Sequence, residues 1–113
     1  MKNVVFLIGR LTDNPEIKKE DKDKKYGVIN LAVQRDYKNS DSVYETDFIR
    51  CVLWNGIAKQ VKEYCHKGDL VGIKGRIQNR SYELDDEIKY ITEVIVDKVS
   101  FLASKKIDEQ EDN

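Results

Sequence analysis

Two cysteines, one histidine and no long apolar run set the first limits on this chain. Cys51 and Cys65 are too few for a disulfide framework and lack metal-ligand spacing, so both read as buried thiols and no metal site is expected. No stretch approaches the length of a membrane span, and no charged-then-apolar leader with a small-residue cleavage site opens the chain. The expectation is a cytoplasmic protein at the nucleoid, with no membrane partner. His66 ends a helical stretch, where a cationic ring complements the helix dipole rather than serving catalysis. No phosphate-cradling glycine loop is present. Asp85, Asp86 and Glu87 cluster, but consecutive carboxylates at a hairpin tip lack the opposed geometry of an acid–base pair or a metal cage. Nothing here makes an enzyme, and no cofactor is expected.

A strong positive charge is also missing. The formal net charge is −1, which excludes a uniformly basic polyanion binder. The charge is uneven, however. Residues 105–113 carry two lysines against four carboxylates, and the remainder holds 18 basic and 17 acidic residues. A near-neutral domain still binds a polyanion if its cations share one face, so where those cations point matters.

What is present is a series of short strand patterns in a chain of single-domain length. Val4 to Ile8 is a continuous apolar run that bends at Gly9. Asp13, Asn14 and Pro15 mark a turn. Residues 18–25 (KKEDKDKK) read as a solvated hairpin tip. A second strand alternates Ile29, Leu31 and Val33. The third, residues 44–54 (YETDFIRCVLW), sets Ile49, Cys51 and Leu53 on a core face. Its other face carries Tyr44, Thr46, Phe48, Arg50, Val52 and Trp54. Residues 55–66 follow helical spacing through Ile57, Ala58, Val61, Tyr64 and Cys65, with Asn55 as N-cap and Gly68 as C-terminal stop. A fourth strand puts Val71, Ile73, Gly75 and Ile77 inward and Lys74, Arg76, Gln78, Arg80 and Tyr82 outward. A fifth, Ile88 to Leu102, is apolar on both sides and reads as buried on both.

Three strands, a helix and two strands match an all-β, five-stranded OB-fold barrel with one α-helix between strands 3 and 4. Residues 1–103 form that domain, and residues 104–113 a short acidic, disordered tail. A small β-sandwich with one helix has the same element order.

Unpaired nucleic acid exposes a line of phosphates and the flat faces of bases. A binder indifferent to sequence needs cations for the first and rings for the second. Phe48, Arg50 and Trp54, set beside Lys74, Arg76, Arg80 and Tyr82 on a neighbouring strand, interleave the two. Stacking is worth ~1–3 kcal/mol per base, so a few rings rival the electrostatic contribution. The alternation alone suits a subunit contact equally well.

The chain resembles the bacterial and phage single-stranded-DNA-binding proteins from Asn3 to Leu102. The resemblance is carried by residues 7–16 (LIGRLTDNPE), 31–33 (LAV), 46–54 (TDFIRCVLW), 67–76 (KGDLVGIKGR), 80–83 (RSYE), 90–94 (YITEV) and 99–102 (VSFL). It implies an OB fold, a homotetramer, and sequence-independent binding and protection of single-stranded DNA in replication, recombination or repair. The family's base-stacking positions fall on Tyr37, Phe48, Trp54 and Tyr82. Tyr37 comes from the resemblance alone, since strand parity groups it with Leu31 and Val33, and a β-bulge would be needed to re-aim it. Phosphate contacts carried over by position are Arg50, Lys67 and Arg80. The residue pattern adds Arg10, Arg35, Lys74 and Arg76.

The chain also departs from the family. KKEDKDKK stands where glycine is common, Gly56 where a basic residue often opens the helix, and Val4 where lysine is common. It ends in DEQEDN without a hydrophobic tip, so weak or no recruitment of repair enzymes through the C-terminus is expected. Two other readings use the same face: an OB-fold protein-interaction module of the primosome type, and an RNA-binding OB domain.

Overall fold

Alternating apolar side chains drive the expected strands, and closure of the sheet decides which of them bury both faces. The computed structural model describes residues 1–20 and 23–105. In chain order the elements are β1 (Val5–Leu11), β2 (Ile17–Lys19), β3 (Lys25–Lys38), β4 (Tyr44–Trp54), α1 (Asn55–Tyr64), β5 (Leu70–Leu84) and β6 (Glu87–Ala103). The sheet runs β1-β5-β6-β4-β3-β2, and β1 also pairs with β3, which closes it. The five long strands thus form a closed barrel with one helix, and the β-sandwich alternative falls away.

β1 makes the closure by changing partners. Val5 to Arg10 pair with β5, while Arg10 and Leu11 pair with β3. The exchange falls at Arg10, next to Gly9, where a Cβ would collide with the Ala32 carbonyl. The core inside the barrel comprises Leu11, Ile29, Leu31, Cys51, Leu53, Val71, Ile73, Val94, Val96 and Val99, with Ala58 and Val61 of α1 and Cys65 just after it packed against them.

Several expectations need correction. The third and fourth strands of the sequence reading, β4 and β5, are not neighbours. β6 lies between them, antiparallel to β5 and parallel to β4 at Cys51–Val94 and Val52–Ile95. β6 is buried on both sides only from Glu93 to Val96, because its first residues leave the barrel with β5 as an exposed hairpin. For the same reason Ile77 is exposed although its parity is that of the core. Val52, read as outward, is buried beside Ile95.

The helix ends at Tyr64, which is exposed rather than buried. Asn55 does not cap it: its φ is 46° and its Oδ1 accepts a hydrogen bond from the Lys25 amide at 3.2 Å. Gly68 does take a left-handed φ of 89°, but in the turn that enters β5 rather than at the helix end. That turn is closed by the His66 amide, which donates to Asp69 Oδ2 at 2.8 Å. The charged loop 18–25 begins as β2, whose Ile17 packs on the core. Asp85 and Asp86 (φ 52° and 65°) form the two-residue turn of the β5–β6 hairpin, a left-handed pair that matches strand twist. Of the expected tail, residues 106–113 lie outside the described residues.

Candidate nucleic-acid interface

Directly opposed residues in a ladder share a face, so the registers define one outer surface across β3, β4, β6 and β5. On it, Phe48 stands opposite Ala32 and Arg50 opposite Asn30. Phe48 is 68% exposed, which strands a large apolar ring in solvent. Trp54 stands opposite Tyr26, their ring centroids 5.5 Å apart and tilted by 39°.

The arginines are linked through β6. Arg50 Nε donates to Glu93 Oε2 at 2.7 Å, and Arg80 donates from Nε to Oε1 at 3.3 Å and from Nη2 to Oε2 at 3.0 Å. Glu93 is only 3% exposed, while both arginine side chains remain partly open to solvent. The hydrogen bond from Arg80 is the main reason the Glu93 carboxyl is held below its ordinary range, with Arg50 adding to it and burial opposing it. Two cations on one carboxylate leave one positive charge on the aromatic surface.

A family model, the single-strand binding protein family, matches residues 2–102. The chain belongs to that family. It is similar to single-stranded DNA-binding protein B of Bacillus subtilis (strain 168), with 42% identity over 106 residues, covering 93% of this chain and 94% of that one. Single-stranded DNA-binding protein 1 of Lactococcus lactis is 42% identical over 112 residues, covering 98% and 75%. Among solved structures, a Plasmodium falciparum SSB complex with ssDNA superposes with a TM-score of 0.81 at 27% identity, covering 90% of this chain and 96% of that one. The fold is therefore that of a single-strand binding protein.

Within this family member the expected site residues divide into groups. Phe48, Arg50, Trp54 and Arg80 share the surface just described. Arg10 borders it, lining a shallow cleft with Ala32, Gln34 and Thr46 while Nη1 donates to the Gly68 carbonyl at 2.9 Å. Tyr37 lies where the β3–β4 register breaks between Gln34 and Lys38, and it is 65% exposed. The break holds two more residues of β3 than of β4, so Gln34 and Lys38 keep the same face against Thr46 and Tyr44 and the alternation is not reversed there. Tyr82, 43% exposed, stands on the β5–β6 arm opposite Lys89.

The other cations stand apart. Arg35 has core-face parity, and there it donates from Nε and Nη2 to Asp47 at 3.0 and 2.9 Å and from Nη1 to Glu45 at 2.9 Å. Arg76 pairs with Asp97 at 3.4 Å. Lys74 lies 6.0 Å over the Phe6 ring, beside the exposed β1 side chains. Lys67 is exposed, and its amide is tied to Asn14 Oδ1 at 2.8 Å.

Sequence reasoning missed Glu93 and Tyr26. A lone glutamate within the apolar run YITEVIV signals a paired buried charge. Tyr26 has the outward parity of Val28 and Asn30, which was legible but unused.

Proposed function

We propose that this chain binds single-stranded DNA without sequence preference and acts by binding, not catalysis. Bases stack on Phe48, Trp54, Tyr37 and Tyr82, and Arg50 and Arg80 contact phosphates, with Arg10 at the border and Lys67 further out. The observation that carries this reading is Phe48: an aromatic ring 68% exposed on the surface that also holds the Arg50–Glu93–Arg80 bridge. Rings alone would suit a protein contact, and cations alone any polyanion. The combination suits unpaired bases on a phosphate chain. Shielding a single strand this way fits replication, recombination or repair in the bacterial cytoplasm, and the relatives are named for binding single-stranded DNA. No helix among the described residues is long and apolar enough to cross a membrane.

The protein works as an oligomer in this reading, a homotetramer. Phe6 and Ile8 leave β1 73% and 62% exposed, and Ile88 and Tyr90 do the same on the hairpin arm, which is more apolar surface than a monomer keeps in water.

Trp54 is the only tryptophan, so its emission during titration with oligo-dT tests the proposal directly. Saturable quenching is expected, with affinity falling as salt rises through counterion release. Binding without any change at Trp54, or no binding, overturns it. A parallel titration with oligo-rU separates DNA from RNA preference.

A further inference from the structure

The stacking surface has a neighbour outside the four stacking positions Tyr37, Phe48, Trp54 and Tyr82. β2 adds a third strand beside β3, and its register puts Lys18 opposite Tyr26, which is itself opposite Trp54. Opposed side chains share a face, so Trp54, Tyr26 and Lys18 form one row across three strands, on the same outer surface as Phe48 and Arg50.

The row is held in place from beneath. Ile17 turns inward onto the core, which sends Lys18 outward by strand alternation. The Lys25 amide donates to Asn55 Oδ1, tying the start of β3 to the residue after Trp54. Tyr26 and Trp54 are both half-buried, and their tilted contact fixes each ring while leaving part of each in solvent. Lys18 is exposed and has no ion-pair partner among the described residues. A fixed ring followed by an uncommitted ammonium repeats the chemistry of the Phe48–Arg50 surface one step further out.

We infer that single-stranded DNA continues past Trp54 across Tyr26, which stacks one more base, and that Lys18 holds the adjoining phosphate. This rests on the DNA-binding reading of the outer surface. It gives the first hairpin, whose charged sequence departs from the family's glycine-bearing one, a part in the DNA path.

The test is a set of oligo-dT titrations of the full chain at several salt concentrations, following a dye on the oligonucleotide. Phe48→Ala, Tyr26→Ala, Tyr26→Phe and Lys18→Ala are compared with the unaltered protein. Tyr26→Ala is expected to weaken binding on the order of tenfold and Tyr26→Phe hardly at all, since the ring stacks and the hydroxyl does not. Lys18→Ala should make the slope of log affinity against log salt shallower by about 0.7, the contribution of one phosphate contact on a single strand. If Phe48→Ala weakens binding while Lys18→Ala keeps the slope and Tyr26→Ala keeps the affinity, the extension is overturned and the surface stands. If Phe48→Ala also binds normally, the surface itself fails and the extension with it. Sedimentation velocity accompanies each variant. A Tyr26→Ala protein that loses its assembly state marks its affinity loss as indirect, and the Lys18 slope, read at an exposed side chain, then decides.

Discussion

Arg80 grips Glu93 from the adjacent strand with two nitrogens, Nε on Oε1 at 3.3 Å and Nη2 on Oε2 at 3.0 Å. Arg50 takes the same carboxylate from the opposite side at 2.7 Å. A glutamate 3% exposed stays ionised only because these donors replace the water it has lost. In return it orients two guanidinium groups that would otherwise sample many rotamers. Three strands therefore meet at one carboxylate beneath the candidate DNA surface.

Replacing that carboxylate by an amide is expected to lower stability at pH 7 by about 1–2 kcal/mol, a figure kept small because both arginines reach solvent. Since the Glu93 carboxyl titrates below its ordinary range in the folded chain, its contribution is complete above the unfolded-state value and disappears as pH falls through the folded one. Urea melts of the unaltered protein and Glu93→Gln should thus differ by a constant amount from pH 7 down to roughly 5, then converge in acid. A difference that persists undiminished in acid would place the effect in packing rather than charge.

The Arg35 clamp makes a different forecast. Arg35 holds Asp47 and Glu45 across the β3–β4 arm, and its hydrogen bonds draw the Asp47 carboxyl below its usual range. Because the clamp is solvent-exposed, Arg35→Lys should leave the melting temperature nearly unchanged. Lysine lacks the planar fork, so the arm around the register break should loosen. Amide exchange at Asp36–Tyr44 should speed up several-fold relative to the barrel strands. Equal exchange in both proteins would show that the turn, not the clamp, orders the arm that carries Tyr37.

Gly9→Ala tests closure. The added methyl meets the Ala32 carbonyl, so β1 must shift away from one of its two partners. A loss of about 1–3 kcal/mol is expected in urea denaturation, the range for forcing extra volume into a packed site. Gly56 offers the control, since nothing lies within 4 Å of the Cβ position there. Gly56→Ala should be neutral or stabilising, as alanine is the better helix former.

Thiol chemistry reports on the core. Burial pushes the Cys51 thiol up to about 12 from 9.0. Cys65 is also raised, by burial first and by the charge of Asp69 second. Aromatic disulfide reagents act on the thiolate. At pH 8 the native protein should therefore label at Cys51 on the order of a thousandfold more slowly than the unfolded chain. Rapid native labelling would mean that the barrel opens far more often than its packing implies.

Much of the architecture was legible because strand alternation is a local property. Ile49, Cys51 and Leu53 had to face one way and Phe48, Arg50 and Trp54 the other, whatever the neighbours. Gly9 stood out as a breaker within an apolar run, and the close approach of the Ala32 carbonyl explains the missing side chain. The Tyr37 assignment came from resemblance, and the register break between Gln34 and Lys38 lies beside it without reversing the alternation. Helix ends were less legible. Asn55 has the chemistry of a cap but is claimed by Lys25, a residue thirty positions away that local reasoning does not see.

Periodicity and breakers in the sequence thus determined which segments become the five long strands, where the helix interrupts them, and which side chains share a face within each strand. Those features depend on bond geometry and on the apolar or polar nature of near neighbours. Only the tertiary structure decided that β6 separates β4 from β5, that Glu93 gathers Arg50 and Arg80, and that Arg35 and Arg76 are already matched to carboxylates. The partners of a ladder are set by closing the whole sheet, and the worth of a charge is set by what closure brings beside it.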